Sequence, residues 1–182
     1  GVKLEPGSIL IAEPLLPDEN FSRSVVLVCE TGSDGTIGFI LNKPTVYTIE
    51  DLLTEFAGST LSVYEGGPVQ QDTLLMIHTL PELLGGSAIK DGVYWGGSYD
   101  ALLQAREDDR FNEYELRLML GYSGWSAGQL EKEIEEGSWL IASFDKNILF
   151  DAAVKNIWTR AIGLLGPQYA HLLNMPTDPR LN

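Results

Sequence analysis

GYSGWSAGQLEKEIEEGSW, residues 121–139, is the stretch on which the reading of the fold turns. Ahead of it, Glu115 to Leu120 (ELRLML) alternates polar and apolar residues with a period of two, as a half-buried strand does. Gly121 to Gly128 is read as a glycine-rich turn, and a helix is expected to follow. Ser126 and Gln129 have the S-x-x-Q spacing of a capping box, in which the serine hydroxyl accepts from the Gln129 amide and the glutamine reaches back. Leu130 and Ile134 share one face at i and i+4, with Glu131, Lys132, Glu135 and Glu136 on the others. Gly137 can adopt positive φ and stop the helix.

Working outward, Ser8–Ala12, Ser24–Glu30 and Thr36–Leu41 read as buried strands. The second is β-branched and apolar on both faces, hence central, and pairs with the third as a hairpin across Gly32–Gly35. Thr48, with Asp51 three residues on, is expected to open a helix to about Ala57. Strands are expected at Leu61–Glu65, Thr73–His78 and Gly92–Trp95, with a turn at Gly66-Gly67-Pro68-Val69. Pro81–Lys90 reads as loop, and a short helix is expected from Ser98 or Asp100 to Ala105. Arg106–Glu113 reads as a solvated charged connector. Beyond the opening stretch come a strand to Phe144, a helical turn capped by Asp145, a longer helix capped by Asp151, and a proline-rich tail from Asn174. Strands with irregularly inserted helices indicate an α+β fold with much antiparallel pairing, in one domain over residues 1–182.

Composition excludes several function classes. Hydrophobic residues make up 44% and charged residues 21%, as in ordinary globular chains. The formal charge of -14 repels phosphate backbones, and no basic cluster offsets it, so direct nucleic-acid binding is disfavoured. No apolar run approaches a membrane span, and no secretory leader is read at the start. Cys29 is the only cysteine, which permits no internal disulfide and suits a cytoplasmic location. His78 and His171 lie far apart in sequence, so no metal site is expected.

Gly124-Trp125-Ser126-Ala127-Gly128 fits the G-x-S-x-G nucleophile elbow, and Asp145 or Asp151 followed by His171 gives the chain order of an α/β-hydrolase triad. Against an esterase, the preceding chain lacks repeated βα units, and each of these polar residues has a ready role as a cap or surface group. The same turn could cradle an anion, but no lysine follows in the P-loop position. Trp139 and Trp158 read as core. Trp125 either presents an edge to solvent or locks the turn by packing.

Several separated blocks resemble the AlgH/YqgE family of small bacterial proteins: Gly7, Leu10, Ala12, Pro14, Leu16, Asp18, Phe21 and Ser24-Val25; then Gly35, Gly38 and Asn42-Lys43-Pro44; then Val63-Tyr64, Gly66–Val69 and His78; then Gly121-Tyr122, Gly124-Trp125, Gly128–Glu131 and Trp139. Thr31 stands where that family often carries histidine, and Ser126 where it often carries glycine, which a nucleophile would not tolerate. The resemblance implies a small barrel-like or bifurcated sheet flanked by helices, with no assigned activity or cofactor. The expected function is binding of a protein or small ligand, with any regulation indirect; a hydrolase using the Gly121–Gly128 turn and a direct transcriptional regulator are the alternatives. Asn42, Lys43, Gly66, Gly67, Pro68, Gly121, Gly124, Trp125 and Gln129 are the candidate binding surface.

Overall fold

In the computed structural model of the chain, residues 2–16, 18, 20–107 and 112–175 are described. Among these residues ten strands form one open, branched sheet: β1 (Ile9–Ala12), β2 (Val25–Gly32), β3 (Gly35–Ile40), β4 (Pro44–Thr48), β5 (Ser62–Glu65), β6 (Val69–His78), β7 (Ser87–Lys90), β8 (Val93–Trp95), β9 (Leu116–Trp125) and β10 (Trp139–Ala142). Its main path runs β10-β1-β2-β3-β9-β6-β8-β7. Every pair is antiparallel except β5 with β9, which runs parallel over Val63–Glu65 and Leu118–Leu120. The sheet does not close into a barrel. It forks at β9, which pairs with β5 over Leu118–Leu120 and with β3 over Ser123–Trp125.

β2 shows why the interior strands read as unbroken apolar runs. Val25, Leu27 and Cys29 enter the core beneath α5 (Val154–Leu164), while Val26 and Val28 enter a second core on the other face. Burying each such side chain contributes about 1.5–3 kcal/mol. The second core is closed by Leu130 of α4 (Gln129–Glu135), with Trp125 and Trp139. A third lies where α1 (Ile49–Leu52), α2 (Pro81–Leu84) and α3 (Tyr99–Glu107) cover β6 and β9 through Ile49, Leu84, Leu102 and Met76.

The structure changes several expectations. Gly121–Trp125 is not a turn: β9 continues through it to Trp125, and only residues 126–128 turn. The following helix has Gly128, at φ 76°, rather than Ser126 at its N-cap. Half of the expected capping box forms, since Gln129 Oε1 accepts from the Ser126 amide at 3.0 Å, but the Ser126 hydroxyl donates to that oxygen instead of accepting from Gln129 N–H. The helix expected from Thr48 to Ala57 is one capped turn, with Asp51 accepting from the Thr48 amide at 2.8 Å; extended backbone at Leu53 breaks it before a 3-10 turn. Pro81–Lys90 contains α2 and β7 instead of a loop. Asp145 caps its turn as expected, whereas Asp151 accepts from Ala153 N–H just ahead of α5 and Ala153 holds the N-cap position. The middle of the charged connector, 108–111, and the tail beyond 175 lie outside the described residues.

Candidate functional site

At the fork of the sheet the chain crosses itself. Gly66-Gly67-Pro68 carries it from β5 to β6, which pair with the same stretch of β9, Leu118–Leu120, and therefore lie on opposite sides of it. The crossing is bonded backbone to backbone. Gly66 N–H donates to Leu120 O at 2.7 Å, and Gly66 O accepts from Ile40 N–H at 2.9 Å and from the Ser123 hydroxyl at 3.0 Å. A Cβ on Gly66 would lie 2.3 Å from Gly121 O, and one on Gly67 2.2 Å from the Tyr122 carbonyl. Gly67 also has φ +155° and Gly121 φ +69°, conformations that side chains rarely adopt. The two glycine-rich segments thus meet, with Gly66, Gly67 and Gly121 buried as the spacers of the crossing. Of the expected surface there, Pro68, Gly124 and Gln129 are the exposed members.

Beside the crossing opens a cleft of about 360 Å³ between the β2–β3 hairpin tip and the end of β9. Tyr122, Val69 and Gly124 form its wall and Glu30 and Asp34 its rim; among the described residues no basic side chain lines it. Thr31, next to the tip of the same hairpin, shares a 2.6 Å hydroxyl hydrogen bond with Thr36.

Trp125 is buried and locks this end of the strand. It stacks on Phe21 with ring centroids 5.9 Å apart and meets Trp139 edge-on at 5.7 Å. Glu133 Oε1 accepts from both indoles, at 3.2 Å from Trp125 and 3.1 Å from Trp139, while Oε2 accepts from Gln129 Nε2 at 2.8 Å. Glu133 and Phe21 escaped the sequence reading as partners of Trp125; the i, i+4 spacing of Gln129 and Glu133 was the available signal.

Asn42 and Lys43 sit at the other end of β3. The Asn42 carboxamide accepts from Val25 N–H at 2.9 Å and donates to Arg23 O at 3.0 Å, clamping the entry to β2. Lys43 pairs with Glu65 at 3.2 Å, and Gln71 donates to the same carboxylate at 2.9 Å.

The AlgH-like family, DUF179, matches residues 9–170. The chain belongs to that family. This AlgH-like chain is 40% identical over 181 residues to a UPF0301 protein of Chlorobium limicola, covering 99% of this chain and 97% of that one. It is also 40% identical over 181 residues to a UPF0301 protein of Cytophaga hutchinsonii, covering 98% and 100%. The solution structure of AlgH from Pseudomonas aeruginosa superposes with a TM-score of 0.70 at 28% identity, covering 94% of each chain. A Corynebacterium diphtheriae crystal structure superposes at 0.78 with 21% identity, over 96% of this chain and 94% of that one, and shares the fold.

In the AlgH-like chain the triad candidates have separate local partners. The Ser126 hydroxyl bonds Gln129, Asp145 bonds Asn147 N–H and Asp151 bonds Ala153 N–H; His171 is exposed on the 3-10 segment Pro167–Asn174. Among the described residues no hydrogen bond joins any two of the four. Asp151 O accepts from buried Arg117, near the start of β9, whereas Ser126 follows the opposite end of that strand. His78 is fully buried and structural: Nδ1 accepts from Leu80 N–H at 3.1 Å, so Nε2 carries the proton and donates to Gly96 O at 2.9 Å. Burial lowers its pKa, partly opposed by the Gly96 bond. Burial likewise pushes the Cys29 thiol well up, away from thiolate chemistry. Among the described residues no group of three His, Cys, Asp or Glu is placed to hold a metal.

Proposed function

We propose that this protein acts by binding rather than by catalysis, that its recognition surface is the cleft at the sheet fork, and that its partner is a protein presenting a basic segment. The observation that carries the reading is the pairing of an acidic rim, Glu30 and Asp34, with a tyrosine wall on a backbone crossing too tight to shift. A cation entering there meets two carboxylates and the Tyr122 ring, with binding favoured by charge and by a pre-formed floor. The buried unpaired thiol fits a reducing cytoplasm, and among the described residues no helix is long and apolar enough to cross a membrane. A regulatory role would then run through a partner rather than through DNA.

The test is a two-dimensional NMR titration with a lysine- and arginine-rich peptide. Saturable shifts concentrated on the Gly35, Tyr122 and Gly124 amides, and lost in the folded E30Q/D34N variant, are expected. Shifts elsewhere, or binding unaltered by the double substitution, would overturn the assignment.

A further inference from the structure

Among its described residues the AlgH-like chain carries a recess of the opposite character. The clefts at the fork and beside Tyr99 are acid-rimmed, by Glu30 and Asp34 and by Glu55 and Asp100, and the one beside Phe150 balances Asp151 with Lys146. A smaller notch of about 170 Å³, lined by Asn20, Ser22, Arg23, Ser24, Asn42 and Lys43, contains two cations and, among the described residues, no acid. Its construction is specific. Phe21–Ser24 is a tight turn closed by Ser24 N–H on Phe21 O at 3.0 Å, and Arg23 sits in it at φ 53°, where a side chain costs stability and glycine would not. The Asn42 carboxamide holds that conformation from across the notch through Arg23 O and Val25 N–H.

Several donors of the notch have no partner among the described residues. Among the described residues, neither the hydroxyls of Ser22 and Ser24 nor the backbone N–H groups of Ser22 and Arg23 have a partner within the protein. Successive free N–H groups in such a turn form an anion-binding concavity. Arg23 faces no carboxylate at ion-pair distance among the described residues; its guanidinium lies 5.4 Å from the Trp158 ring centroid and donates to Met175 O, and its Nε is buried without a partner. Lys43 is partly neutralised by Glu65 but keeps further N–H donors.

We propose that this notch binds a single phosphate group. A tetrahedral oxyanion would use the two serine hydroxyls and the turn amides as donors and draw charge from Arg23 and Lys43, in a protein whose overall field otherwise repels anions. The experiment titrates the intact chain with inorganic phosphate, with glycerol phosphate, and with chloride at matched ionic strength, reading backbone amide shifts. Saturable shifts at Ser22, Arg23, Ser24 and Lys43 with phosphate but not chloride are expected. S22A/S24A and K43Q should each weaken binding by roughly tenfold, the effect of losing a hydrogen bond to a charged ligand. Glycerol phosphate binding as well as the free ion would identify a phosphomonoester as the ligand class; binding of the inorganic ion alone would identify free phosphate. The proposal is overturned by the absence of a localised saturable response to either phosphate, or by folded variants that bind as the wild type does. Should a variant not fold, the wild-type shift map decides alone.

Discussion

Glu133 accepts from two buried indoles with one carboxylate oxygen, and that single side chain joins α4 to both aromatic walls of its core. An unpaired buried donor costs about 1–3 kcal/mol, so Glu133→Ala, which strands both Trp125 and Trp139, is expected to destabilise by roughly 2–4 kcal/mol. Glu133→Gln keeps an oxygen in place and should cost less than half as much. Urea denaturation followed by tryptophan fluorescence reads both, and an E133A midpoint equal to the wild type would refute the role. Glu133 was illegible in the sequence, where it is one of several glutamates on a polar helix. Its inward turn depends on Trp139 and Phe21, which only the folded chain brings alongside. Gly137, Asp145 and the Thr48–Asp51 box were legible because their bonds close within a few residues.

At the level of elements, β9 shows where local reading fails. Three small residues among Gly121–Trp125 look like a turn, yet the segment is strand, with the register shifted between Val69 and Leu74 of β6. Glycine there serves close approach, not reversal of the chain, and the element it must clear, Gly66–Gly67, lies over fifty residues away. β4 and β7 were missed for a related reason: each is short and pairs with a single neighbour, so neither shows a buried alternation. The distinction can be measured. Gly67→Ala adds a Cβ 2.2 Å from the Tyr122 carbonyl at a φ of +155°, and should cost at least about 3 kcal/mol or abolish soluble expression. Gly124→Ala meets nothing nearer than 3.5 Å, from the Tyr122 ring, and should stay within about 1 kcal/mol of the wild type in thermal melts. Equal losses at the two positions would mean that the crossing is not what these glycines serve.

For the molecule as a whole, 26 acids stand against 12 bases, and the structure occupies several of the cations internally. Lys43, Lys90 and Lys132 each pair with a glutamate, and Arg117 is 4% exposed, donating to Leu41 O and Asp151 O with its guanidinium 3.9 Å from the centre of the Tyr64 ring. The charge balance was legible in the composition; the inward use of Arg117 was not, because its partners are backbone carbonyls from two distant segments. Duplex binding needs several phosphates neutralised at once, each adding about 0.9 to the salt slope, and a notch that takes one phosphate supplies a slope of about one. A gel-shift titration at low salt is therefore expected to show no discrete complex with duplex DNA at micromolar protein. A complex that weakened steeply with added salt would require a basic surface assembled from several chains or from residues beyond those described, and would move the regulatory reading from a protein partner back to DNA.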